Sequence, residues 1–230
     1  MGNQTKTTIQ IKGFPLIKFQ DNDKIKRFRQ GILYMKNLQY YRDLEKSNGD
    51  GTIGDMFEAM LHINEGKLII PELGEEIEIK DDLITTDFSN GFVFCMFGIN
   101  ENVKSFQFTD KQKQEIFNFG DRALLITDRH EFLKRIFSTA VEKSLKVFHG
   151  SVKYYDEHVD SVNLLASLTN GMENIAFWKR DKYRYQQEYR FVIQSVDTTE
   201  DYFELNIGDI SDISKEIKTS VLLNSITVQL

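Results

Sequence analysis

Between Phe177 and Phe191 the chain reads FWKRDKYRYQQEYRF, its densest run of side chains able to bind anions and to accept a hydrogen bond from a hydroxyl. If Tyr183 to Gln194 is extended, the two-residue period of a strand divides it into two faces. Tyr183, Tyr185, Gln187, Tyr189, Phe191 and Ile193 fall on a packing face, and Arg184, Gln186, Glu188 and Arg190 on a polar one. Two guanidinium groups, an amide and a carboxylate in one row suit a site that grips phosphates while orienting a hydroxyl. Upstream, Lys179, Arg180 and Lys182 add positive charge in a chain whose net charge is −6, which favours an anionic, nucleotide-like ligand. Two plainer readings stand beside this one. Alternating Arg and Glu on an exposed strand pair across a sheet for ~0.2–1 kcal/mol per pair. The composition of Trp178, Lys179, Arg180 and Lys182 also suits a protein interface, or a seat for single-stranded nucleic acid. Phe177 and Trp178 read first as core anchors.

A longer pattern surrounds this segment. Lys18 and Phe19 come first, then Gly31, Leu33, Tyr34, Leu38, Tyr40, Tyr41 and Arg42. Glu45, Gly49 with Asp50, and Glu58 follow, and the pattern closes on Gln186, Glu188, Tyr189 and Arg190. This order resembles a group of bacterial and phage proteins that carries no assigned activity, and the likeness spans most of the chain. The Q-x-E of Gln186 and Glu188 is similar, more distantly, to the motif that opens a C-terminal strand in the ADP-ribosyltransferase superfamily. That resemblance implies NAD as cofactor, with Glu188 holding a ribose hydroxyl and stabilising an oxocarbenium-like transition state. It also implies Gln186 as the group that orients the acceptor. Arg184, Arg190, Arg42, Arg29 and Tyr41 would then be ligand-binding, with Arg184 or Arg190 clamping phosphate and Arg29 or Arg42 as the superfamily's first-strand arginine. Its Ser-Thr-Ser strand motif has no counterpart here. The rival expectation is a non-enzymatic module that binds a protein or nucleic acid in phage and host conflict, using Trp178, Lys179, Arg180 and Lys182.

Other chemistries lack their residues. The four histidines, His62, His130, His149 and His158, have no partner at helical spacing, so no zinc site is expected. An EF-hand frame started at Asn48 puts Ile53 where glycine is required and Ala59 where the bidentate glutamate belongs. Asp50, Asp55, Glu58 and Glu188 would serve a magnesium site only if folding gathered them. Cys95, the only cysteine, lies in an apolar run and reads as a small buried hydrophobe. No Gly-x-Ser-x-Gly elbow, Walker motif or dinucleotide fingerprint occurs. The acidic balance disfavours non-specific binding of duplex DNA. No apolar run approaches the roughly 20 residues of a membrane span, and the N-terminus lacks a signal-like apolar stretch, so a cytoplasmic protein is expected.

The elements that would position these residues form an α+β pattern. Apolar runs at ILYM, GFVFCMFGI, RALLIT and LKVFHGSVKYY predict strands, as do Tyr185 to Gln194, DYFELNI and SITVQL. Helices are predicted after Asp21 to Asp23 up to the Gly31 stop and after Asn37. Two more follow the capping signals Thr109 with Gln112 and Asp128 with Glu131, and a short one spans Met172 to Trp178. SNGDGTIGD predicts a surface loop. With few helical crossovers between strands, a mainly antiparallel sheet with a few packed helices is expected, in one domain over residues 1–230.

Overall fold

The computed structural model describes residues 11–48, 54–63, 66–70, 74–79, 83–85, 91–99, 105–156, 171–194, 196, 198–225 and 228–229. The chain opens with β1 (Leu16–Gln20), α1 (Asn22–Arg29), β2 (Ile32–Asn37) and α2 (Leu38–Asn48). Five strands follow, β3 (Leu61–Ile63), β4 (Gly66–Ile70), β5 (Glu75–Ile79), β6 (Leu83–Thr85) and β7 (Phe92–Gly98). Next come β8 (Ser105–Phe106), α3 (Asp110–Phe117), β9 (Arg122–Ile126), α4 (Arg129–Glu142), β10 (Lys146–Ser151) and β11 (Lys153–Tyr155). The last stretch holds β12 (Trp178–Arg180), β13 (Glu188–Gln194), β14 (Tyr202–Asn206), β15 (Ser214–Lys218), α5 (Thr219–Ser225) and β16 (Val228–Gln229). Short helices of the tighter 3-10 type span Met172–Phe177 and Asp181–Gln186. Antiparallel pairing dominates, so the class is α+β as the patterning predicts. Among the described residues no helix is long and apolar enough to cross a membrane.

Two compact units emerge, each assembled from separated segments. The first comprises residues 1–33, 96–142 and 205–230, and the second residues 34–95 and 143–204. In the first, β1 pairs with the end of β7 and along its whole length with β9, and β9 pairs in turn with β15, all antiparallel. Ile17, Phe19, Phe97, Phe108, Ile116, Leu125 and Leu222 interlock in one core, and Phe28 of α1 meets Phe132 of α4 edge to face. These aromatic contacts each add of order 0.5–1.5 kcal/mol beyond area burial.

The second unit places β13 between β10 and β7, and β2 on β7 through Lys36 and Asn37 opposite Val93 and Phe92. β11 and β12 run parallel, with Tyr155 opposite Arg180. Leu38, Ala59, Val93, Tyr155, Ile175, Ala176 and Val192 form its core, flanked by the half-buried Tyr41, Cys95, Phe177 and Trp178. Phe177 and Trp178 are thus anchors, as their composition suggests. Asn37 caps α2 by accepting from the Tyr40 amide at 2.8 Å. The Thr109 capping box is complete, with both reciprocal hydrogen bonds formed.

Two expectations are corrected, and two unpredicted elements appear. The segment from Tyr183 to Gln187 is not extended. It turns through the Asp181–Gln186 helix, Gln187 lies in the left-handed region at φ 40°, and the strand starts only at Glu188. The stretch between DYFELNI and SITVQL, for which the patterning predicts no element, forms β15 and α5. The described end of the SNGDGTIGD loop, Gly54 and Asp55, is buried rather than at the surface, and residues 49–53 lie outside the described set.

Candidate functional site

Glu188 and Arg190 keep the two-residue relation of a strand, so both side chains leave the same face of β13. Arg190 is only 1% exposed. Its Nε donates to Glu188 Oε2 at 2.7 Å, and Nη1 donates to Glu58 and to the Ala176 carbonyl. From the neighbouring β12, Lys179 sends its ammonium to Glu188 Oε1 at 2.6 Å and to Gln186 Oε1 at 2.8 Å, with Glu58 at 3.8 Å. Gln186 and Glu188 therefore converge on one donor, even though the backbone between them is left-handed. The Glu188 amide donates to the Tyr154 hydroxyl at 2.8 Å, which pins the start of the strand.

A second set of charges adjoins these. Arg180 Nε donates to Asp55 Oδ1 at 2.8 Å, and its Nη2 donates to Glu45 of α2. Lys182 Nζ donates to the other Glu45 oxygen at 2.6 Å, and the Met56 amide also donates to Glu45. The Tyr183 ring lies against this group, with the charged ends of Lys179, Arg180 and Lys182 at 4.7, 5.7 and 4.8 Å from its centre. Its hydroxyl donates to the Gly54 carbonyl at 2.6 Å. Arg42 braces the floor by donating to the carbonyls of Glu58 at 2.6 Å and Ala59 at 3.2 Å.

Burial and pairing compete at each titratable group. Burial opposes ionisation of Glu188, but the charges of Arg190 and Lys179 and their hydrogen bonds outweigh it, holding the carboxyl well below its usual range. Glu58 goes the other way: desolvation outweighs Arg190 and Lys179 and raises its pKa. Burial disfavours the Lys179 ammonium, yet Glu188 and Glu58 more than restore it, and its pKa is raised. Glu45 resists burial through the hydrogen bonds of Lys182 and Met56 and the charge of Arg180, and its pKa is lowered. Tyr41 and Tyr154 are raised well above the ordinary phenol, mainly by burial. The result is an ionised carboxylate at Glu188 that accepts hydrogen bonds but does not carry protons near neutrality.

The expected row is thus brought together only in part. Gln186, Glu188 and Arg190 meet, and Arg42 holds the backbone of Glu58, whose carboxylate accepts from Arg190. Arg184 is not in the row: it sits on the turn, exposed, donating to Asp181 and, at 3.4 Å, to the Tyr154 carbonyl. Arg190 faces two carboxylates in the interior rather than an open surface. Arg29 belongs to the first unit, in the last turn of α1. Lys179 and Arg180, expected as interface residues, are buried because each is the counter-ion of acids inside the unit. Trp178 is half-buried, edge-on to Tyr155, with the Lys153 ammonium 5.3 Å from its ring. Glu45 and Tyr154 were not among the expected site residues, and Asp55 and Glu58 entered only as members of a magnesium set. Glu45 and Glu58 do stand in the longer sequence pattern, which was the available signal. Asp55, Glu58 and Glu188 are each paired with Lys179, Arg180 or Arg190, and no metal-binding group forms among the described residues. Asp50 lies outside that set. Comparison with protein families, curated proteins and solved structures yields no match.

Proposed function

We propose that the second unit is a nucleotide-binding, ADP-ribosyltransferase-like catalytic module that acts on NAD, with Glu188 as its carboxylate and Gln186 as its partner. The observation that carries this reading is the convergence of Gln186 Oε1 and Glu188 Oε1 on Lys179 Nζ, at 2.8 and 2.6 Å. Both side chains point to one spot, as a pair sharing a ribosyl substrate needs. A carboxylate offers about four acceptor sites, and Lys179 and Arg190 take one on each oxygen. Both Glu188 oxygens thus keep capacity for a ribose hydroxyl. Its fixed negative charge, in a site largely shielded from water, is suited to stabilise positive charge developing on the ribosyl carbon as nicotinamide leaves.

The rival reading, a non-enzymatic module in phage and host conflict, has less to support it. It needs Lys179 and Arg180 at the surface, where they would carry binding energy to a partner. Their burial, at 3% and 8% exposure, removes them from any such surface. A cytoplasmic setting belongs to the same proposal, since a lone cysteine permits no internal disulfide.

The test is nicotinamide release from NAD by the purified chain, followed by chromatography. Wild type is expected to turn NAD over, and Glu188→Gln to lower the rate about 10²–10³-fold, the usual cost of losing one preorganised electrostatic contact. Circular dichroism checks that the variant is folded. A wild type that neither binds nor consumes NAD, or a folded Glu188→Gln variant with unchanged turnover, sinks the reading.

A further inference from the structure

Glu45 is held in an unusual way for a helix-borne carboxylate. Three donors from three parts of the second unit converge on it: the Arg180 guanidinium at the end of β12, the Lys182 ammonium on the following turn, and the Met56 amide. A guanidinium, an ammonium and a backbone amide make up a common phosphate-gripping set. On the carboxylate, Oε2 takes both Arg180 and Met56 while Oε1 takes Lys182. A phosphoryl group has three terminal oxygens and would give each donor its own acceptor.

Two of the three donors are anchored without Glu45. Arg180 is fixed by Asp55, with Nε at 2.8 Å and Nη2 at 2.7 Å from Oδ1. Met56 belongs to the turn closed by the Glu58 amide on the Asp55 carbonyl at 2.8 Å. Both cations also lie near the Tyr183 ring, at 5.7 and 4.8 Å from its centre. Solvent reaches the set from one side, since the Lys182 side chain is 49% exposed while that of Glu45 is 11% exposed. Arg180 also pairs with Asp55, and the Lys182 side chain opens the set to water.

We propose that Arg180, Lys182 and the Met56 amide form a phosphate-binding site for the phosphate or pyrophosphate group of a nucleotide, and that Glu45 is its built-in occupant, displaced when the ligand arrives. This deepens the function proposed above and rests on it for the identity of the nucleotide. It moves the phosphate grip from Arg184 and Arg190 to Arg180 and Lys182. The binding chemistry itself needs no catalysis at Glu188.

The experiment measures thermal stability and calorimetric binding of pyrophosphate for wild type, Glu45→Ala, Glu45→Gln and Glu45→Ala with Lys182→Ala, against chloride at equal ionic strength. Removing the occupant should tighten pyrophosphate binding at least tenfold over wild type, and Lys182→Ala should reverse most of that gain. ADP tighter than pyrophosphate would mark a nucleotide as the source of the phosphate, and equal affinities a free phosphate compound; either supports the site. If the Glu45 variants fold only when pyrophosphate is present, that rescue also supports it. Folded Glu45 variants with no pyrophosphate response beyond that of chloride overturn it. So does a response that Lys182→Ala leaves intact, or a failure of pyrophosphate to rescue unfolded variants. Turnover is not read, so phosphate binding without NAD chemistry would sink the proposed activity and leave this site standing.

Discussion

Arg190 shows how much one side chain can be asked to hold. It neutralises Glu58 and Glu188 and donates to the Ala176 carbonyl while itself shut off from water. Buried pairs gain little over a well-packed apolar replacement of the whole set, but removing one partner strands the rest. Arg190→Met is therefore expected to cost about 3–5 kcal/mol, because two interior carboxylates lose the closer-bound of their two shared cations at Glu58 and a second donor at Glu188. Arg184→Ala, which removes an exposed side chain paired with an exposed Asp181, should stay within about 0.5 kcal/mol. Urea denaturation of the two variants separates them, and similar midpoints would mean that the buried network is not load-sharing. A lysine at position 190 is no substitute, since one ammonium cannot present the planar fork that spans both acids.

At the scale of elements, backbone geometry decides where side chains can go. Gly31 ends α1 at φ +89°, and a Cβ placed there would come within 1.8 Å of the Gly208 carbonyl oxygen. The same approach lets the Ile207 amide donate to the Gly31 carbonyl at 2.9 Å. Gly31→Ala should cost more than about 3 kcal/mol, since both the left-handed backbone and the contact must yield. A urea midpoint within error of wild type would show that the Gly31 and Gly208 segments are free to separate. Signals of this kind were legible: Gly31 as a stop, Asn37 and Thr109 as caps, and the continuous apolar run of β7 each act through a few neighbouring residues. The region before Glu188 misled because alternation was carried back through Tyr183 and Tyr185. Nothing in a two-residue period reveals that Gln187 turns left-handed. The residues SKEIK of β15 hid a strand, since it joins β9 through its backbone and leaves much of its side-chain surface to water.

For the chain as a whole, the division into units was not legible. Three of its four crossings fall inside strands β2, β7 and β14, where no glycine-rich or proline-rich linker marks a change. The site was half legible for a related reason: Gln186, Glu188 and Arg190 are neighbours in sequence, whereas Glu45, Asp55 and Glu58 reach them only through long-range folding. This separation makes the charge network a property of the folded state, and pH reads it. Glu188 and Glu45 have folded pKa values below their unfolded ones, so the unfolded chain binds more protons as the pH falls below about 5. Their stabilisation is fully present above the unfolded value and is lost as the pH drops toward the folded one. Glu58, raised by burial, has the opposite sign: its contribution is present at low pH and lost as the pH rises through its folded value. With two depressed carboxylates against one raised, and with Glu131, Asp128, Asp209 and Asp212 also lowered in the first unit, acid should destabilise the protein. The urea midpoint is expected to be level from about pH 6 to 8 and to fall below about pH 5. Glu188→Gln should lower the plateau but make the fall shallower, because a depressed group no longer titrates, so the two curves converge in acid. Parallel curves from pH 3 to 8 would show that Glu188 is not held ionised by Lys179 and Arg190.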